Sequence, residues 1–352
     1  MIEIDGSFGE GGGQILRTAL SLSCLFNKPF RIFNIRKSRK KPGLMPQHLT
    51  CVKAAQLLSN AEVSGDSLGS TELLFKPRLI KGGDFFFDIG TAGSTSLLAQ
   101  TLIPSLIFLK EKTTLILKGG THVPFSPSYN YISEVFAPIL RMIGIKISLS
   151  IESYGFYPKG GGEIRVEVFP TEEINPLRIK ERGEISYLIG SSGVGNLPLT
   201  IAERQKNAAT KKIVESGINI PIKIDLLDCP TPGQGTFLFI RPVTKLIAKP
   251  EIEISLAGFW ALGHRGKRAE EVGEEAASKF INYYHGGAVF DKHLADQIVL
   301  YLSLCKEESY FTTHSITNHL ITNLYIIKLF NDFKYIVNGQ IGEKGEVIIN
   351  VS

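Results

Sequence analysis

Residues Gly9-Glu10-Gly11-Gly12-Gly13-Gln14-Ile15-Leu16-Arg17 join two different periodicities. Ile2-Glu3-Ile4 ahead of them alternates as a short strand does. Ile15, Ala19, Leu22 and Phe26 behind them recur at helical spacing. The glycines therefore stand where a strand turns into a helix. Glycine accepts positive φ there and lets backbone N–H groups come close to a ligand. The start of a helix also carries partial positive charge, which suits phosphate. A carboxylate beside such an anion site, here Glu10, makes chemical sense if it holds a divalent cation. A tight turn without a ligand has the same local sequence, so these residues alone leave both readings open.

The pattern recurs along the chain. Phe85 to Ile89 reads as a strand, Gly90-Thr91-Ala92-Gly93-Ser94 as a turn and Thr95 to Leu109 as an apolar helix. Leu115 to Leu117 leads through Gly119-Gly120 into a helical stretch, Tyr129 to Ile143. Pro46 to Leu58 reads as a helix with Leu49, Val52 and Leu57 as its apolar face. Strands alternating with helices place the chain in the α/β class. Two further strands, Ile145 to Ile151 and Glu163 to Phe169, flank Tyr154 to Gly162, which reads as a hairpin loop. From about Gly183 the texture changes: a strand at Ile185 to Ile189 precedes Ser191-Ser192-Gly193-Val194-Gly195. A polar helix follows at Thr200 to Glu215, then strands near Ile222 to Leu227, Phe237 to Ile240 and Ile252 to Leu256, and a charged helix near Lys267 to Tyr284. This stretch reads as a second α/β unit inserted into the first. Helices at Leu294 to Cys305 and Ser315 to Phe330 and strands at Tyr310 to Thr313, Tyr335 to Val337 and Val347 to Val351 close the chain.

Composition excludes several classes. A chain of 352 residues with 43% hydrophobic and 21% charged residues is a globular protein with an ample core. The net charge of +5 permits nucleic-acid binding without arguing for it, so local clustering of charge matters more. Cys24, Cys51, Cys229 and Cys305 form no CxxC pair and read as buried thiols of a reducing compartment. Leu97 to Leu109, the longest apolar run, is too short to span a bilayer. The first residues show no basic-then-apolar leader, and the expected location is cytoplasmic, with no membrane partner.

Three clusters carry reactive groups. The first is Glu10, Gln14 and Arg17 around the glycines. The second is Arg36-Lys37-Ser38-Arg39-Lys40-Lys41-Pro42-Gly43 with Gln47-His48. It is either a solvated basic loop or a phosphate clamp in which arginine forks two oxygens. The third holds His314 and His319. His319 falls in the first turn of a helix capped by Ser315, Thr317 or Asn318. The helix dipole there disfavours imidazolium and keeps the ring neutral and nucleophilic. No phosphate loop of the Gly-x-x-x-x-Gly-Lys-Ser/Thr type, no Lys-x-Asp-Gly ligase motif and no kinase or hydrolase signature is present.

Taken together, these clusters resemble the RNA 3′-terminal phosphate cyclases nearly end to end. The resemblance is carried by Glu10-Gly11-Gly12-Gly13-Gln14-Ile15-Leu16-Arg17, Lys41-Pro42-Gly43-Leu44 and Gln47-His48-Leu49. It continues in Gly155-Phe156-Tyr157-Pro158-x-Gly160-Gly161-Gly162, Leu294-Ala295-Asp296-Gln297 and His319-Leu320-x-Thr322-Asn323. The glycine-rich element around Pro158 is the family's signature. Two positions depart from it. Tyr154 stands where relatives have Arg or His, and His293 stands where relatives can place an aromatic that packs on adenine. An imidazole can still stack.

The resemblance implies three repeated units, each a four-stranded sheet with two helices, and a smaller inserted α/β domain. Residues 1–182 and 281–352 would form the catalytic body and 183–280 the insertion. It implies an ATP-dependent conversion of an RNA 3′-phosphate to a 2′,3′-cyclic phosphate, through adenylated His319 and then adenylated RNA. Glu10 would ligate the divalent cation, Mg2+ or Mn2+. Arg17, Gln100, Pro127, His293, Leu294, Ala295, Asp296 and Gln297 would line the ATP site. Arg36, Arg39, Gln47 and His48 would bind phosphates of ATP or RNA. The expected partner is RNA with a 3′-phosphate end, with a homodimer left open. Some cyclase-like proteins keep the fold, lack the histidine and act in ribosome assembly; His319 with Asn323 argues against that alternative here. An enolpyruvyl transferase shares the repeated architecture but not these motifs, and a plain RNA-binding module sits poorly with the modest charge.

Overall fold

A computed structural model describes residues 1–247 and 249–350. The first unit runs β1 (Ile2–Asp5), α1 (Gln14–Phe26), β2 (Phe30–Phe33), α2 (Pro46–Ser59), β3 (Glu62–Ser64) and β4 (Leu73–Lys76). Its strands lie in the order β1-β2-β4-β3, with β1 and β2 parallel and the other pairs antiparallel. The second unit runs β5 (Asp84–Asp88), α3 (Thr95–Leu106) and β6 (Thr113–Gly119). A composite helix follows, made of α4 (Tyr129–Tyr131), a π-helical stretch (Ile132–Phe136) and α5 (Ala137–Met142). It leads to β7 (Ile147–Ser153) and β8 (Gly162–Val168). The order β5-β6-β8-β7 and the strand directions repeat those of the first sheet.

The third unit opens with β9 (Arg178–Ile179) and is then interrupted. A separate five-stranded sheet intervenes, built from β10 (Ile185–Gly195), β11 (Ile222–Asp228), β12 (Gly235–Leu246), β13 (Lys249–Ile254) and β14 (Phe259–Leu262). Helices α6 (Thr200–Glu215) and α7 (Ala269–Gly286) pack on each other and on this sheet around a core of their own, with Leu188, Ile213, Leu238 and Phe280 at its centre. The third unit then resumes with α8 (Lys292–Leu302), β15 (Ser309–Thr313), α9 (Asn318–Phe330), β16 (Tyr335–Asn338) and β17 (Gly345–Ile349). The order β9-β15-β17-β16, with β9 parallel to β15, is the same arrangement a third time.

The helices of the three units meet one another: α1 packs on α2, α3 and α9, and α8 on α9. Helix α1 shows why packing rather than local propensity holds this centre together. Its N-cap is Gly13, with no side-chain cap and no acidic residue in the first turn. A helix of this length is marginal alone. Ile15, Leu16, Ala19, Leu20 and Leu22 are all buried, and each large apolar side chain buried contributes roughly 1.5–3 kcal/mol.

Most elements fall where the sequence places them, and the differences have physical reasons. On α2, Val52 is buried but Leu57 is 61% exposed. Cys51, Ala54, Ala55 and Leu58 complete the buried face, because small residues let α2 approach its neighbours closely. The strand expected at Ile185 to Ile189 continues through Ser191 to Gly195 as β10. Parallel β11 and antiparallel β12 pair with both edges there, and Gly193 leaves room for the Phe237 ring. The charged helix ends at Gly286, where Gly287 takes a left-handed φ of 63°. Strands β2, β3, β4, β9 and β14 are short additions, and the expected strand end at Val351 lies outside the described residues.

The signature loop is a hairpin connection between β7 and β8, as expected, and it is also a joint. Phe156 lies over Gly195 and Gly235 of the five-stranded sheet. Gly160 has φ 65°, and a Cβ there would stand 2.8 Å from the backbone of Thr91 and Ala92. The loop thus ties the second glycine turn to the intervening sheet, and any side chain at Gly160 would push them apart.

Candidate active site

A cavity of about 680 Å³ opens between the helix starts of the three units and the five-stranded sheet. Gln14 and Arg17 of α1 line it, together with Gln100 of α3, Pro127, Trp260, and His293 and Gln297 of α8. His319 enters from the start of α9.

The position of His319 follows from its cap. Thr317 is the N-cap of α9, and its hydroxyl accepts from the Leu320 N–H at 2.9 Å. The same hydroxyl donates to the Asp296 carboxylate of α8 at 2.5 Å. Asn323, one turn further on, donates to the Asp296 carbonyl at 2.6 Å and accepts from Thr18 of α1 at 2.7 Å. Three helices are thereby clamped behind the imidazole. Burial holds the Asp296 carboxyl well above the usual carboxylate range.

The imidazole Nε2 lies 3.1 Å from a Glu10 carboxylate oxygen, and Nδ1 is buried without a partner. Burial is the main cause that lowers the His319 pKa below its ordinary 6.5. Glu10 opposes the shift, while Arg17, Arg39 and Lys292 reinforce it. The ring is therefore neutral at physiological pH and carries a free lone pair, the state a nucleophile needs.

Two arginines stand near it. Among the described residues no carboxylate pairs with Arg17, whose pKa burial lowers. Arg39 reaches Glu10 only at 3.6 Å. His48 explains one of the three glycines. A Cβ on Gly13 would lie 2.1 Å from His48 Nε2 and 3.1 Å from an Arg17 nitrogen. The His48 ring accepts from the Met45 N–H at 3.2 Å, and burial, with Arg17 and Arg36 nearby, pushes its pKa down to about 3. Buried polar atoms also remain unsatisfied in the cavity wall: Gln14 Oε1, Gln100 Nε2, Gln297 Oε1 and the Tyr301 hydroxyl. Orphaned groups of this kind are costly unless a ligand meets them. A cavity with a buried arginine that no carboxylate meets, free polar atoms and a neutral imidazole at a helix start can receive an anionic ligand.

A sequence model of the RNA 3′-terminal phosphate cyclase family matches residues 8–337. The chain belongs to the RNA 3′-terminal phosphate cyclase family. Similar proteins of that name include one from Sulfolobus acidocaldarius, 47% identical over 97% of this chain and 98% of the relative. Another, from Pyrobaculum neutrophilum, is 43% identical over 95% and 94% of the two chains. A third, from the bacterium Methylococcus capsulatus, is 42% identical over 94% and 91%.

Family motifs drawn from opposite ends of the chain converge on the cavity, but not every residue within them faces it. Arg17, Gln100, Pro127, His293, Asp296, Gln297 and His319 line it. Leu294 and Ala295 are fully buried in the core beneath it. Glu10, Arg39 and His48 form the adjoining corner through His319 and Gly13. Arg36 commits one guanidinium nitrogen to its own loop, donating to the carbonyls of Lys41 and Gly43 at 2.7 and 2.8 Å. Gln47 accepts from the Ser94 N–H at 3.2 Å and so supports the second glycine turn.

His293 sits between Tyr131 and Trp260, whose ring centroids lie 6.4 and 5.3 Å away, and burial lowers its pKa to about 3. It is a neutral ring in an aromatic wall, which is how an imidazole takes the place of an aromatic there. Asp291 fixes the start of α8 beneath it. One carboxylate oxygen accepts from the His293 and Leu294 N–H groups, and the Tyr131 hydroxyl donates to the same carboxylate. Sequence reasoning missed Trp260, Lys279 and Phe125 in the cavity wall. Trp260 is the only tryptophan in the chain, a rarity that offered a signal.

Among the described residues no cluster of three or more His, Cys, Asp or Glu side chains could hold a metal, and no helix is long and apolar enough to cross a membrane. Glu10 is a lone carboxylate facing an anion site. That donor set fits a hard cation held mostly by phosphate oxygens and by one protein oxygen.

Proposed function

We propose that this chain converts the 3′-phosphate of an RNA to a 2′,3′-cyclic phosphate at the expense of ATP, through His319 carrying AMP. The neutral His319 imidazole at the start of α9, in one cavity with the unpaired Arg17, carries the reading. In the first step the Nε2 lone pair attacks the α-phosphorus of ATP. The bond to the bridging oxygen breaks, and pyrophosphate leaves. In the second step an oxygen of the RNA 3′-phosphate attacks the same phosphorus. The P–N bond breaks, and the RNA end becomes an anhydride with AMP. In the third step the neighbouring 2′-hydroxyl attacks the 3′-phosphorus, the bond from that phosphorus to the bridging oxygen breaks, AMP leaves with that oxygen, and the hydroxyl proton passes to solvent water. That last step is intramolecular, so positioning supplies most of the rate.

The residues have distinct tasks in this scheme. Arg17 and Arg39 offset the charge on the phosphoryl oxygens. Gln100, Pro127, His293 and Gln297 form the walls for the nucleoside, and Arg39 and His48, with Arg36 and Gln47 behind them, meet the phosphates. Glu10 lies 3.1 Å from His319 Nε2 in the resting site and would be the protein ligand of Mg2+ or Mn2+; attack from Nε2 uses the tautomer that carries its proton on Nδ1. The cation neutralises phosphate charge when bound. Residues 1–182 with 281–352 are read as the catalytic body and 183–280 as the insertion, because β9 and β15 share one sheet across that gap. The non-catalytic reading gains no support from a site that keeps its histidine neutral.

Incubation with ATP labelled at the α-phosphate tests the scheme. Labelled protein should form, and acid should strip the label while alkali leaves it, as for a phosphoramidate. His319→Ala should abolish label and cyclisation, and His314→Ala should retain both at least in part. Label that persists on His319→Ala, or that resists acid, would place the nucleophile elsewhere.

A further inference from the structure

Among the described cavity-lining residues, Phe125 alone combines full exposure with a left-handed backbone. Its side chain is fully exposed, at 103% of the reference area, although it belongs to the wall of the catalytic cavity. Its φ is 62°, in the left-handed region that a bulky residue avoids. The loop around it is not loose. Pro124 precedes it, and Ser126, Pro127 and Ser128 are buried behind it. The Ser126 hydroxyl donates to the Val123 carbonyl at 3.0 Å. The buried flank thus holds a strained turn that presents an aromatic ring to solvent at the cavity rim. Neither the exposed ring nor the strained φ is repaid by a contact within the protein. Strain of this kind persists where a ligand uses it.

We infer that Phe125 is a stacking platform for the unpaired nucleobase at the 3′ end of the RNA, an assignment that rests on the function proposed above. On the proposed function the adenine of ATP has an enclosed place of its own, between Pro127, which is buried, and the His293–Trp260 wall. A polymer, by contrast, must leave the cavity across its rim, and the base next to the reacting phosphate is the first to cross it. Every base has a π-face, so one aromatic ring serves RNAs of any terminal sequence. A ring set beside that base would also fix the ribose whose 2′-hydroxyl attacks in the last step.

A 3′-phosphorylated oligonucleotide with 2-aminopurine as its terminal base reads this contact directly. Its fluorescence should fall on binding to the wild-type protein and should not fall with Phe125→Ala. Loss of the ring should raise KM for RNA about fivefold to hundredfold, the range of one base–aromatic stack, with KM for ATP and the ATP-dependent labelling of the protein unchanged. Phe125→Trp should restore both signals. An RNA whose terminal nucleotide is abasic should bind wild type and Phe125→Ala alike. Unchanged quenching and KM in Phe125→Ala overturn the assignment, as does an increase confined to KM for ATP, which would place adenine there. Recovery of RNA affinity by Phe125→Gly would also overturn it, because that variant relieves the backbone without supplying a ring. The fluorescence arm needs no turnover. A wild-type protein that quenches through Phe125 but fails to cyclise would thus sink the proposed reaction and leave this contact standing.

Discussion

The turns that start α1 and α3 hold equivalent places in two sheets of the same strand order, and the protein treats them in opposite ways. At the second turn side chains and neighbouring backbone occupy the space. The Ser94 hydroxyl accepts from the Leu97 N–H, Gln47 accepts from the Ser94 N–H, and Gly160 is pressed against Thr91 and Ala92. At the first turn Gly13 caps α1 with no side chain, and the space beside it holds His48, Arg17 and the Glu10–His319 pair. In the third unit the corresponding position, between β9 and α8, is where the five-stranded sheet enters. A scaffold repeated three times therefore closes one turn for stability, opens one for chemistry and spends one on a wall for the cavity. On the proposed function, chemistry sits where the protein leaves a buried arginine and polar side chains without partners.

That contrast can be broken most severely at the open turn. Gly13→Ala places a methyl 2.1 Å from His48 Nε2 and should displace the ring into the corner beside His319. We expect cyclisation to fall by about a hundredfold or more, the scale of an ångström-sized misplacement in an active site. Circular dichroism should show the fold retained, and a rate near that of wild type would mean that the turn has slack.

Arg17→Met tests whether the unpaired charge serves the ligand rather than the fold. Each charge-assisted bond to phosphate is worth about 1.5–3 kcal/mol, so the labelling rate should drop roughly tenfold to hundredfold. The melting temperature should rise, because a guanidinium that burial penalises has been removed. A fall in melting temperature would show that Arg17 has a structural partner.

Glu10→Gln should have a smaller effect, seen as a higher Mg2+ or Mn2+ concentration for half-maximal labelling. It also makes a signed claim about pH. Glu10 raises the His319 pKa, so its removal should lower that pKa further below 6.5. Labelling requires the neutral ring and is lost as pH falls through that pKa. The acid limb should therefore move to lower pH in the variant. A shift to higher pH would remove Glu10 as the neighbour that raises the His319 pKa, and an unchanged metal requirement would remove it as the cation's ligand.

At the closed turn the expectation reverses. Ser94→Ala deletes the cap of α3 and should cost about 1 kcal/mol of stability in a denaturant melt. The cyclisation rate should stay near that of wild type. A large loss of activity would mean that the two turns do not divide stability and chemistry as described.

Local chemistry made much of this molecule legible from its residues. A strand, a glycine turn and an apolar helical face are short-range patterns, so α1, α3 and α6 lie where their spacing puts them. Thr317 caps α9 because a hydroxyl at that position satisfies a free N–H whatever surrounds it. The family motifs named His319 for the same reason: they are read along the chain. What the sequence could not decide depends on partners far along it. The strand expected to end at Ile189 runs on to Gly195 because strands on both sides pair with it. Leu57 looks like core until close packing through Cys51 and Ala55 turns it outward. Arg36 and Gln47 look like phosphate ligands as readily as Arg39 and His48 do. Only the folded chain commits one of them to its own loop and the other to the α3 turn. Glu10 meets His319 because three helices from separate units pack together, and no local pattern encodes which side chains such packing leaves without partners.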